Sequence, residues 1–423
     1  MGPRKSNTPS REILEELGAR VGYVFDMRMT YHRSLDDDED PHPEDPRRTY
    51  WIYSLLDRAD LLRLMTRVSF DEADLMQIRR VHRDKYINIL QNTALMEKAS
   101  LIEEQEKYDS VFLCSESFYC ARLSAGALIE LCVKVSTGIL DSGFAIIRPP
   151  GHHACRSKAM GFCLLNNVAI ATEEILYGRL ADRVMIVDWD VHHGNGIQEI
   201  FIKNKSVLYC SLHRYDSGEF YPANEEGSLE EVGREMGTGF NINIPWVTSG
   251  MGDGDYIYAF KKLIIPVANE FKPNLIIVAA GFDAAVNDPI GECNVTPECY
   301  ASMTSMLKSV PNSKLVLALE GGYNLDAIAN SSLACVKALL GVKWKAGVVP
   351  EAAVYNGYAT LSETEINGVQ TGRSVYNKSW LAMPDWDPEF EVPWSYQSEP
   401  SDLGKDVVDQ VVKVHRKYWK CLQ

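Results

Sequence analysis

Short apolar runs alternate with amphipathic stretches along most of this chain. Runs at 21–25, 111–114, 144–147, 184–188, 207–211, 240–244, 275–280 and 315–319 read as strands. Between and beside them, apolar positions recur at spacings of three and four, the helical period. That spacing predicts helices over 50–65, 71–95, 117–135, 163–178, 196–203, 253–269, 297–308 and 325–340. Nearly continuous apolar strands separated by helices predict an α/β fold, with a predominantly parallel central sheet and helices on both faces. The polar first 20 residues read as a flexible segment, or as a short helix from Ser10 onward. An acidic stretch, 36–45, contains Pro41 and Pro43 and reads as an exposed surface loop. From 349 to 400 the pattern weakens into an irregular extension, whose Trp380, Trp386 and Trp394 read as packing anchors. Helical spacing resumes over 406–422, with Val407, Val408, Val411 and Val412 on related faces, as a closing helix. No linker or repeat divides residues 21–423, which read as a single domain.

Composition narrows the class. Hydrophobic residues make up 46% and charged residues 24% of 423 positions, as in a globular protein with a large core. The formal charge of −15 suits a basic protein partner better than a nucleic-acid backbone, although solubility accounts for most of it. No sequence-specific nucleic-acid binding is expected, and no membrane association, because no run has spanning length. The ten cysteines form no metal-ligand series. They read as reduced, buried thiols, which points to the nucleus or cytoplasm.

Chemistry concentrates where strands end. The stretch VMIVDWDVHHGNG, 184–196, places Asp188, Asp190 and His192 at alternate positions after an apolar run. A strand has a side-chain period of two, so all three can face one way. Carboxylate oxygen and imidazole nitrogen are both zinc ligands, so Asp190 and His192 are candidate metal ligands, with Asp283 as a third. Ordinary polar packing at a strand end is the competing reading. In RPPGHHA, 148–154, His152 and His153 are adjacent on a loop stiffened by two prolines. Each can transfer a proton, or merely tie down the loop backbone. Asp188 can accept a hydrogen bond from such an imidazole. Tyr323 follows Gly321 and Gly322, which permit close backbone approach and expose the phenol as a candidate oxyanion donor. Phe162 and Tyr221 are candidate walls of a narrow tunnel, with Gly161 leaving room for a thin chain. In parallel sheets such groups gather beyond the C-terminal strand ends.

Seven motifs together carry a family resemblance: HPEDP (42–46), RPPGHHA (148–154), GFCLLNN (161–167), VDWDVHHGNG (187–196), SLHRYDSGEFYP (211–222), GFDAAVNDP (281–289) and LEGGYN (319–324). The chain resembles the zinc-dependent histone deacetylases, specifically their class II branch, and VHRKYWKCL (414–422) looks like that branch's closing helix. The resemblance implies an arginase/deacetylase-like fold, with zinc on Asp190, His192 and Asp283. It makes His153 the general base and later proton donor, His152 its electrostatic partner, and Asp188 the residue behind His152. His193 is then structural. Asn195, where class I members carry an acid, gives His153 a neutral partner and marks the subclass. Tyr323, where some class II relatives have histidine, implies hydrolytic activity. Ser110 matches a rim serine that bonds the substrate backbone. Structural potassium is implied at backbone carbonyls of Asp190, His192 and Leu212 with Asp188 and Ser211. A second such site is implied around Phe201, Asn204 and Val207.

The implied reaction is hydrolysis of N6-acetyl-lysine in histone tails or other proteins, with a chromatin corepressor complex as a possible setting. Acetylpolyamine hydrolysis is the nearest alternative. Members with that preference carry an acidic gatekeeper where this chain has Ile290. A non-catalytic scaffold or acetyl-lysine-binding subunit is the alternative of a different class. Serine-hydrolase chemistry lacks its GxSxG elbow, and GMGDG (250–254) lacks the setting of a dinucleotide loop.

Overall fold

Eight strands, all parallel, form one sheet in the order β2–β1–β3–β8–β7–β4–β5–β6. They are β1 (Val21–Val24), β2 (Thr66–Arg67), β3 (Ser142–Ala145), β4 (Val184–Asp188), β5 (Val207–Arg214), β6 (Asn241–Trp246), β7 (Leu275–Ala280) and β8 (Lys314–Leu319). The computed structural model describes residues 20–35, 42–341 and 399–423, which belong to one compact unit. Expectations for the first 19 residues, for 36–41 and for the extension through 398 lie outside the described residues. Every residue of β1, β3, β4, β6 and β7 is buried. Successive strand residues point to opposite faces, so burial of all of them means helices cover both faces, as the apolar runs predicted.

The longest helix, Ser117–Ser136, lies against β1, β3 and β8 and buries most of its surface. Leu325–Leu340 packs between Pro297–Lys308 and Arg47–Arg58. Helix starts follow local chemistry. Asn166, Thr296, Asn324 and Ser401 each accept a backbone N–H from the first turn of the helix they precede, which satisfies donors that have no intrahelical partner.

Several boundaries differ from the expectations. Residues 111–114 form no strand, because the N–H groups of Leu113 and Cys114 are taken by the side chains of Gln105 and Ser117. The two-residue, exposed edge strand β2 has no apolar pattern to announce it. The helix expected over 71–95 is two, Leu75–Arg79 and Asp84–Thr93, and the one over 50–65 is Arg47–Arg58 followed by a short 3₁₀ turn. The helix expected at 163–178 starts only at Asn167, after Asn166 caps it. The helix over 253–269 is interrupted by a π-helical turn at Phe260–Ile264 ahead of Pro266, whose missing N–H cannot serve the carbonyl four residues back. The closing helix is Asp402–His415 with a separate 3₁₀ turn at Lys420–Leu422. All ten cysteines are free, and nine are buried.

The sheet order places the site. After β4 the chain moves outward to β5, whereas after β7 it moves the other way to β8. β4 and β7 are neighbours, with Asp188 opposite Ala279. Their C-terminal ends therefore flank a topological switch point, where diverging loops leave a crevice.

Candidate active site

Asp190 and His192 leave the end of β4, and Asp283 leaves the end of β7. Ligand atoms of the three lie within 4.8 Å of one another, and all three residues are buried. His192 Nδ1 stands 3.0 Å from Asp190 Oδ1 and 3.1 Å from Asp283 Oδ2. The remaining carboxylate oxygens are fixed by backbone: Asp190 Oδ2 accepts from Gly321 N at 2.8 Å, and Asp283 Oδ1 from Val191 N at 2.7 Å. A Cβ at Gly321 would strike both Asp190 and Asp283, so the β8 loop reaches the crevice only through glycine. Burial opposes charge on His192, yet Asp190 and Asp283 lift its pKa to about 9. Burial and the adjacent Asp190 push Asp283 up to about 7. Two buried carboxylates share one imidazole, which leaves negative charge uncompensated, and a nitrogen-plus-carboxylate donor set suits a divalent cation such as zinc. These three side chains can hold a metal.

Beside them sit the paired histidines. His152 Nδ1 is 3.2 Å from Asp188 Oδ2, which also accepts from Tyr209 Oη at 2.9 Å. His153 Nδ1 is 2.8 Å from Asn195 Oδ1. The rings of the pair are 4.0 Å apart, and both residues are buried. Burial opposes charge on His152, but Asp190 and Asp188 raise its pKa to about 10. Burial and then the neighbouring His152 and His192 drive His153 well below the usual histidine range. The environment thus separates two like groups into a charged one and a neutral one, the pattern expected of acid–base machinery.

Aromatic rings enclose the approach. Tyr221 meets His153 edge-on at 5.2 Å, and Phe162 meets Tyr323 edge-on at 5.7 Å. Gly161 and Phe162 both have positive φ, 54° and 66°, in a turn closed by reciprocal Met160–Cys163 backbone bonds of 3.2 and 3.0 Å. A side chain at Gly161 would collide with the His153 ring, so glycine there keeps that ring uncovered. Gly161 N and Phe162 N donate to the carbonyls of Asp109 and Ser110, which join the rim to the wall. Ser110 is exposed, with its Oγ 3.0 Å from Asp109 Oδ1, and Ile290 is half-buried.

The remaining sequence candidates fall into place or move. His193 is buried and bonded to Gln198 at 3.0 Å, away from the paired histidines' bonds. His213 lies inside β5, sealed between Ser211 Oγ at 2.8 Å and Gly227 O at 2.9 Å, so it belongs to the packed interior. Phe201, Asn204 and Val207 share a turn, with Asn204 N and Val207 N donating to the carbonyls of Phe201 and Asn204.

The structure also adds residues that sequence reasoning missed. Phe220 stacks on His192 at 5.2 Å and 13°. Asp288 Oδ2 accepts from Tyr323 N at 2.7 Å, while its Oδ1 accepts from Ile290 N and Gly291 N. Glu320 Oε2 accepts from Gly151 N and His152 N and so fixes the histidine loop. Glu44, expected on an exposed acidic loop, is fully buried against Arg148 and Arg48. Arg48 in turn donates to the carbonyls of Glu320 and Gly322 and lies 5.3 Å from the Tyr323 ring.

A parallel sheet with a two-carboxylate, one-imidazole centre at its switch point defines a class of α/β protein whose crevice can hold a metal. Residues 42–339 match the histone deacetylase domain, and the chain belongs to that family, in its class II branch. It is 46% identical over 351 residues to histone deacetylase HDA1 of Candida albicans, covering 79% of this chain and 42% of that protein. It is 37% identical to the human polyamine deacetylase HDAC10, covering 88% of this chain and 54% of that protein. The crystal structure of the HDA15 HD domain matches with a TM-score of 0.77 at 34% identity, covering 96% of each chain, and carries the arginase/deacetylase fold. The chain spans about half the length of the curated relatives it matches.

Proposed function

We propose that this chain hydrolyses N6-acetyl-lysine in proteins, histone tails among them, to lysine and acetate, and that residues 21–423 form one deacetylase domain. The convergence of Asp190, His192 and Asp283 within 4.8 Å, beneath an opening walled by Phe162, Tyr221 and Tyr323, carries this reading. Those three residues would hold zinc, which when bound supplies Lewis acidity toward a carbonyl and toward water. An acetylated lysine is uncharged and thin, so its methylenes pass between Phe162 and Tyr221 at modest desolvation cost. His153 takes the proton from the attacking water and later delivers it to the departing amine. His152, bonded to Asp188, stands beside it as an electrostatic partner, and Asn195 orients it. Tyr323 donates a hydrogen bond to the developing oxyanion. Ser110 at the rim bonds the peptide backbone. Potassium at the carbonyls of Asp190, His192 and Leu212 with Asp188 and Ser211, and a second ion around Phe201, Asn204 and Val207, would serve as structural cations.

Ile290 offers no charge to a cationic polyamine, which favours a protein substrate. The resemblance and the deacetylase relatives support a nuclear or cytoplasmic setting and a chromatin corepressor complex. No helix among the described residues is long and apolar enough to cross a membrane. The test couples zinc content to turnover of an acyl-peptide panel alongside acetylspermidine. Zinc-loaded protein is expected to cleave acetyl-lysine peptides. Zinc-loaded protein silent on every acyl peptide would instead mark a scaffold or acetyl-lysine-binding subunit, and preference for acetylspermidine a polyamine hydrolase.

A further inference from the structure

We infer that Met160 is a positioning residue that decides which nitrogen of His153 carries the proton. The inference rests on the reading of His153 as general base. Asn195 is buried, and its amide can in principle face His153 in either of two orientations. With Oδ1 toward His153, the ring must carry its proton on Nδ1, which leaves Nε2 free to accept one. With the NH₂ toward His153, the ring must carry its proton on Nε2 and cannot act as a base. His153 alone does not choose, because a neutral imidazole can donate or accept at either nitrogen.

The choice is made on the far side of the amide. Asn195 Nδ2 lies 3.3 Å from Met160 Sδ and 3.5 Å from Cys155 Sγ. A thiol can donate or accept, so Cys155 is ambiguous, and its own S–H points toward His153 O at 3.6 Å. A thioether has no proton to give. An Asn195 turned the other way would set its carbonyl oxygen against the Met160 sulfur, acceptor facing acceptor in a buried site. Met160 therefore holds the NH₂ on its side and Oδ1 at 2.8 Å from His153 Nδ1. Met160 itself is 6% exposed and opens the tight turn that carries Gly161 and Phe162. One turn thus supplies clearance above the base, a wall of the tunnel and the orientation of the base's partner.

Met160→Leu keeps the shape and removes the acceptor, a swap that cores tolerate well. Met160→Gln offers an acceptor at similar reach but also a donor, so it permits the Asn195 orientation without enforcing it. On an acetyl-lysine peptide, the zinc-loaded leucine variant is expected to lose kcat by about tenfold or more with KM nearly constant, the range seen when an orienting partner is lost. The glutamine variant is expected to fall between the leucine variant and the wild type. Nitrogen-15 spectra of histidine-labelled protein, with and without zinc, should show His153 protonated on Nδ1 in the wild type and shifted toward the Nε2–H form in the leucine variant. Unchanged kcat and unchanged tautomer in Met160→Leu would overturn the inference. So would equal losses in both variants with KM moving alongside, which would mark Met160 as packing alone. Should the leucine variant melt early, the wild-type spectrum decides, and a dominant Nε2–H form is the adverse result. His153→Ala separates the two claims: turnover that survives it removes the general base and leaves the sulfur–amide geometry standing.

Discussion

Two of the buried charged clusters among the described residues are resolved in opposite ways. In one, Glu44 receives Arg148 Nε at 2.9 Å and Nη2 at 2.5 Å, with Arg48 at 3.2 Å. The guanidinium groups spend their other protons on the carbonyls of Met29, His32, Glu320 and Gly322. Burial alone would raise the Glu44 pKa, but the two arginines hold it down at about 2. In the other cluster, Asp190 and Asp283 share His192, with His152 Nε2 a further 3.7 Å from Asp190 Oδ1, and Asp283 is pushed up to about 7. In the first, two guanidiniums face one carboxylate, and backbone carbonyls take up the surplus positive charge. In the second, two carboxylates crowd one imidazole, a donor set that can hold a cation. Buried charge held by arginines and carbonyls locks a fold, whereas crowded buried carboxylates mark a candidate site.

Replacing a ligand should break the comparison most severely. Asp190→Ala or Asp283→Ala is expected to lose bound zinc by elemental analysis, with turnover below about 1% of wild type and a fold that survives by circular dichroism. Zinc at full stoichiometry in either variant would remove that residue from the metal centre. Glu44→Gln should do the reverse. It strands two arginines in the interior and should cost about 3–5 kcal/mol in denaturant unfolding, while zinc content per folded molecule stays constant.

Acid should act on the same cluster. Burial and Arg148 also lower His32 from 6.5 to about 3. Both depressed groups stabilise the fold above their unfolded values, 6.5 for His32 and 4.5 for Glu44. Stability should therefore fall as pH drops below 6.5 and fall faster below 4.5. A denaturation midpoint that is flat from neutral pH to pH 4 would contradict this assignment. Tyr323→Phe is gentler on the structure. It should reduce kcat roughly a hundredfold or more, as expected for a lost oxyanion donor, with little change in KM. Ile290→Glu should produce the smallest effect, raising acetylspermidine turnover relative to an acetyl-lysine peptide by about fivefold, since one charge at a partly exposed position is worth roughly 1 kcal/mol.

How much of this was legible beforehand follows the range of the interactions. Strands β4, β7 and β8 are visible because each is a local apolar run, and Asp190, His192, Asp283 and Tyr323 are visible because each follows one. Glu44 was misread as surface because its neighbours in sequence are acidic, while Arg148, which buries it, lies 104 positions away. Strand β2 is too short and too exposed to leave a pattern. The single helix drawn through 253–269 overlooked what Pro266 does to the hydrogen-bond ladder. Phe220 and Met160 escaped notice because stacking on a ligand, or choosing an amide's orientation, is a relation in space with no counterpart in spacing.

Asp288 has a consequence for how this molecule can change. With one carboxylate it fastens the backbone at Ile290 and at Tyr323. The segment that would screen incoming substrates and the segment that carries the phenol are thereby yoked together. A mutation or inhibitor that shifts the Ile290 backbone should therefore shift the Tyr323 backbone too, whereas exchange of the Ile290 side chain alone leaves that tie in place.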